Sequence, residues 1–90
     1  MITSTGAGIR VDTDGDATVV VSADINAGEN GVYIDNGGFD YSGVIDVTVD
    51  SGVTIAATSP FYNVALYGSD VTLTMNGTLT GGSGVRIGSE

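Results

Sequence analysis

The chain has no cysteine, no histidine and no lysine, and it has a single proline, Pro60. Without cysteine there are no disulfides, no thiolate zinc sites and no cysteine nucleophile. Without histidine, catalysis by an imidazole acid or base is excluded. One proline is too few for a polyproline rod. No run of about 18 apolar residues occurs, so no membrane insertion by this segment is expected. Met1-Ile2-Thr3-Ser4-Thr5 has neither a basic start nor an apolar middle, and so does not read as a signal peptide. Positive charge is scarce: Arg10 and Arg86 stand against 11 acidic residues, a formal net charge of −9. Such a chain repels phosphate backbones and anionic bilayers, so no nucleic acid is expected as a partner, and sugars, protein surfaces or divalent metal fit better.

What is present is strand composition. Glycine accounts for 15 of the 90 residues, but no Gly-X-Y rhythm runs through the chain, which excludes collagen. A hydrophobic content of 41% is too high for a disordered tail. Thr, Val and Ile fill most apolar and half-polar positions, and no helical periodicity competes with them. The length allows one domain at most.

A short pattern recurs: a small or turn-prone residue, then apolar, variable, apolar. Gly8-Ile9-Arg10-Val11, Gly31-Val32-Tyr33-Ile34, Asn63-Val64-Ala65-Leu66 and Gly84-Val85-Arg86-Ile87 are four copies, starting 23, 32 and 21 residues apart. Spacing in this range is the signature of a solenoid. Each of the first three copies opens a coil with two further strands, and the fourth opens a coil that stops. In the first coil these are Ala17 to Ser22 and Ala23 to Ala27, in the second Val44 to Asp50 and Val53 to Ala56, and in the third the runs containing Leu73 and Leu79. Side chains alternate across a strand. The inward residues therefore fall into columns: Val11, Ile34, Leu66 and Ile87; Val19, Val47 and Leu73; Ile25, Ile55 and Leu79. Asn63 replaces the glycine of the other copies, a substitution consistent with its tolerance of left-handed backbone angles. The expected fold is all-β: a single-stranded parallel β-helix of about three coils, with residues 1–90 forming one repeat domain. That domain is either a piece of a longer solenoid or a unit stacking end to end on its own copies. The alternative is a small antiparallel β-sandwich, which also uses short alternating strands and Gly-rich turns.

The run from Asn76-Gly77-Thr78-Leu79-Thr80 through Gly81-Gly82-Ser83-Gly84-Val85-Arg86-Ile87, with Val71-Thr72-Leu73-Thr74 and Gly52-Val53-Thr54-Ile55, resembles the passenger regions of bacterial autotransporters and related β-helical adhesins. The resemblance implies a right-handed parallel β-helix on a bacterial cell surface or in a secreted fibre. It implies adhesion or self-association without catalysis, the partner being a host glycan, a protein surface or another copy of the chain.

Two clusters are candidate sites. Asp12, Asp14 and Asp16 alternate through a turn, and calcium favours several such oxygen ligands, so calcium is the one cofactor the sequence admits. The spacing is not that of an EF-hand. Tyr33, Phe39, Tyr41, Phe61, Tyr62 and Tyr67 concentrate in the second coil and the start of the third, where exposed rings suit sugar faces or a protein partner. A third group, Asp46 and Asp50, shares an outward face and raises the alternative of a polysaccharide-cleaving domain. Enzymes of that kind hold polyanionic substrates with basic residues, which are nearly missing here.

Overall fold

The computed structural model describes residues 1–13, 15–36 and 43–88. Among these there are eleven strands and no helix: β1 Ile2–Ser4, β2 Ile9–Asp12, β3 Ala17–Val21, β4 Ile25–Ala27, β5 Val32–Asp35, β6 Val44–Val49, β7 Thr54–Ala56, β8 Val64–Tyr67, β9 Asp70–Met75, β10 Thr78–Thr80 and β11 Val85–Gly88. They form three sheets, ordered β1-β4-β7-β10, β2-β5-β8-β11 and β3-β6-β9. The chain visits the first, second and third sheet in turn and then begins again, and every strand pairing is parallel. This arrangement is compatible with a solenoid and overturns the antiparallel sandwich. The physical reason lies at the turns. Asn30-Gly31 and Asn76-Gly77 each carry the chain from one sheet to another, so they do not close hairpins between neighbours.

The register reproduces the columns read from the sequence. Val11, Ile34, Leu66 and Ile87 are ladder partners in the second sheet. Val19, Val47 and Leu73 align in the third, and Ile25, Ile55 and Leu79 in the first. One strand carries no local signal in the sequence: β1, which places Ile2 on Ile25. A single apolar residue shows no alternation, and its partner lies far along the chain.

The core lies between the three sheets. Ile34, Ile45, Val47, Ile55, Val64 and Leu66 are fully buried there, with Ile25, Val32 and Val49 beside them. Burial falls along each column toward the outermost strands. Leu66 is 0% exposed and its column neighbour Ile87 is 51% exposed. Truncation should therefore cost very different amounts at two positions with the same pattern. Leu66→Ala is expected to lower unfolding stability by about 3–5 kcal/mol, from lost burial plus a cavity. Ile87→Ala is expected to cost under about 1 kcal/mol. Urea midpoints at unchanged m-value would check the pair.

Close packing at the turns accounts for the glycine that opens two of the copies. A Cβ on Gly8 would lie 2.7 Å from the Gly31 carbonyl oxygen and run into the Ile25 side chain. A Cβ on Gly31 would lie 2.5 Å from the Asn63 carbonyl oxygen and meet Ile55. Of this column only Gly84 has a left-handed backbone, φ +92°. The expectation that Asn63 stands there for its backbone freedom is thus corrected: its side chain is what the position uses. Asn63 is 1% exposed. Its Nδ2 donates to the carbonyls of Ile55 at 2.9 Å and Thr80 at 2.7 Å, and its Oδ1 accepts from the Gly84 N–H at 3.1 Å.

Candidate functional site

The outward positions of the second sheet hold both arginines of the chain. Ladder pairing sets Arg10, Tyr33, Ala65 and Arg86 in one outward row and Asp12, Asp35, Tyr67 and Gly88 in the next. With strands about 4.8 Å apart, three ladder steps separate the arginines by about 14 Å. Between them the tyrosines meet: the Tyr33 and Tyr67 ring centroids are 5.6 Å apart, tilted by 52°. Arg10 lies over Tyr33, its Cζ 5.0 Å from the ring centroid, and Arg86 lies over Tyr67 at 5.9 Å. Attraction between a guanidinium and an aromatic face holds such pairs together. Ala65 permits the arrangement. It faces outward yet is fully buried. Its small side chain leaves room in the row between Tyr33 and Arg86, and the larger side chains around it close over it.

The two arginines differ in their partners. Arg10 Nε donates to Asp12 Oδ2 at 3.1 Å on the open surface. That hydrogen bond, followed by the Asp12 charge, raises the Arg10 pKa. Arg86 is raised first by a hydrogen bond to Tyr62 and then by its interaction with Tyr67. Among the described residues it has no carboxylate partner.

The aromatic cluster is therefore gathered in part. Tyr33, Tyr62 and Tyr67 are half-buried on or beside this face, and Phe61 is exposed at the turn before β8. Phe39 and Tyr41 lie outside the described residues. The sequence reading leaves the arginines out of the cluster, although the signal is present. Arg10, Tyr33, Ala65 and Arg86 are the variable residues of the four copies, and copies that stack bring their variable residues into one row.

The acidic turn offers less to a cation. Asp12 is engaged by Arg10, and Asp16 Oδ1 accepts from the Val44 N–H at 2.9 Å, which ties the start of β6 to the turn before β3. Asp14 lies outside the described residues, among which no group of three acidic or imidazole side chains is placed to hold a metal.

Asp46 and Asp50 do not form a catalytic pair of the usual kind. They are four residues apart on extended chain, which spreads them by about 13 Å. Glycoside cleavage needs carboxyl groups roughly 5–9.5 Å apart. Asp46 stands exposed between Thr18 and Thr72 in its ladder, and Asp50 Oδ2 accepts from Ser22 Oγ at 3.0 Å.

No helix among the described residues is long and apolar enough to cross a membrane. Compared with protein-family models, with curated proteins and with solved structures, the chain matches none.

Proposed function

We propose that this chain is a stretch of a right-handed, three-sided parallel β-helix from a bacterial cell-surface or secreted protein. On this reading it acts as a non-catalytic adhesive segment, and its contact surface is the outer face of the second sheet. The observation that carries the reading is the gathering of both arginines with Tyr33, Tyr62 and Tyr67 on one face of an otherwise acidic molecule. Rings with polar rims and a nearby guanidinium suit the alternating apolar faces and hydroxyls of a glycan. The wide separation of Asp46 and Asp50 supports the absence of catalysis.

The test is binding to a panel of immobilised host cell-surface glycans, with wild type and Tyr67→Ala compared. Loss of one stacking ring is expected to weaken binding roughly tenfold, about 1.4 kcal/mol. The circular dichroism of a β protein should stay unchanged. Equal binding by both proteins would remove this face from the proposal.

A second reading, a self-stacking filament unit, is favoured by the exposure of Ile2, Val85 and Ile87 on the outermost strands β1 and β11. Setting β11 directly on β2 of the next copy would bring Arg86 beside Arg10, two like charges about one strand spacing apart. Stacking that continues the order of the sheets, with β1 of the next copy following β11 onto the third sheet, avoids that clash.

A further inference from the structure

The two arginines occupy equivalent slots and yet are placed for different tasks. Arg10 is spent on Asp12, 3.1 Å away. Arg86 lies over the Tyr67 ring, 5.9 Å from its centroid, and among the described residues it has no carboxylate partner. Next to it the row of Asp12, Asp35 and Tyr67 ends in Gly88, which has no side chain. A Cβ built on Gly88 would meet nothing within 4 Å among the described residues. The result is a notch: a guanidinium on one side, the Tyr67 ring and Tyr62 hydroxyl around it, and open space where the row would otherwise continue.

We propose that this notch binds the carboxylate of an acidic sugar, a single uronate-type residue carried on an otherwise neutral glycan. The inference rests on the reading of this face as the glycan-contacting surface and deepens it. A planar guanidinium fork matches the two oxygens of a carboxylate. The tyrosine ring offers an apolar face to the pyranose. The Tyr62 and Tyr67 hydroxyls, both of which favour the charge on Arg86, can exchange hydrogen bonds with ring substituents. The net charge of −9 sets the limit on ligand charge. At physiological salt the field is screened over about 8 Å, so one carboxylate beside Arg86 is tolerated while a run of them along the acidic surface is repelled.

The experiment is an NMR titration that follows the Arg86 side-chain N–H and the Tyr62 and Tyr67 ring signals. The probes are methyl glucuronoside, methyl glucoside and N-acetylaspartate amide. The glucuronoside is expected to bind roughly fivefold more tightly than the glucoside, the range of an exposed ion pair. It should also bind more tightly than the aspartate derivative, which lacks a ring. Arg86→Gln should erase the preference over glucoside. Gly88→Val, which fills the notch and keeps the charge, should weaken the glucuronoside, and Asp46→Asn on the third sheet should change nothing. Equal affinity for glucuronoside and glucoside would overturn the acidic-sugar inference and leave the glycan face standing. Equal affinity for glucuronoside and the aspartate derivative would replace the sugar by a peptide carboxylate. If none of the three moves the tyrosine signals, both readings fall.

Discussion

Replacing Asn63 with alanine should lower the unfolding free energy by about 3 kcal/mol. The carboxamide is almost fully enclosed, and it serves the carbonyls of Ile55 and Thr80 and the N–H of Gly84 at once. Removing it leaves buried polar groups short of partners, at about 1–3 kcal/mol each. Thr80 limits the loss, because its carbonyl also accepts from the Ala57 N–H at 3.0 Å. Glycine, which opens the other three copies, should rescue little. Asn63→Asp makes a sharper test. Only a protonated aspartic acid can donate to the carbonyl oxygens that Asn63 Nδ2 serves, and burial also disfavours its charged form, so its pKa in the folded state would lie above the unfolded value. The folded protein then binds the proton more tightly. The variant's stability, relative to wild type, should be best below the ordinary aspartate range and decline as pH rises through the raised value. Urea titrations near pH 4 and near pH 7 would reveal this. Asn63→Ala should show the same deficit at both.

Gly31→Ala is expected to cost about as much, roughly 3 kcal/mol, by overpacking. The added methyl would press on the Ile55 side chain and lie 2.5 Å from the Asn63 carbonyl oxygen, which is backbone of the adjoining strand's turn and has little freedom to retreat. The Val32 N–H donates to that same oxygen at 2.9 Å, so moving it also strains the ladder. Gly84→Ala in the same column should cost only about 1 kcal/mol, the penalty for a left-handed backbone, since nothing lies within 4 Å of its Cβ. Thermal and urea unfolding of the two variants would separate crowding from backbone strain. Similar losses at both sites would show that the turns can spread to admit a side chain.

These two positions mark the limit of what the sequence tells. The columns around Ile34, Val47 and Ile55 were legible because strict alternation, returning in the same order of strands despite unequal spacing, leaves one way to stack the apolar residues. β1 was not legible, since Ile2 has no alternating neighbours and its strand is defined by a partner 23 residues away. Asn63 was legible as an exception to the glycine column, but its task was not, because hydrogen bonds to carbonyls 8 and 17 residues distant leave no local trace. The candidate face stands between these cases. Its tyrosines were visible as a concentration of aromatics, while the place of Arg10 and Arg86 among them emerges only when the variable residues of the copies are aligned as strictly as the apolar ones.

The lengths of the connecting segments carry a consequence for how this molecule can change. The column partners Ile2, Ile25, Ile55 and Leu79 are separated by 23, 30 and 24 residues, and yet they sit in register. Insertions between strands are absorbed outside the ladders, and the entropy of a longer loop grows only slowly with its length. A lineage, or an engineer, can thus rewrite an exposed stretch such as 58–61, between β7 and β8, to suit a new target without renegotiating the sheets that carry it.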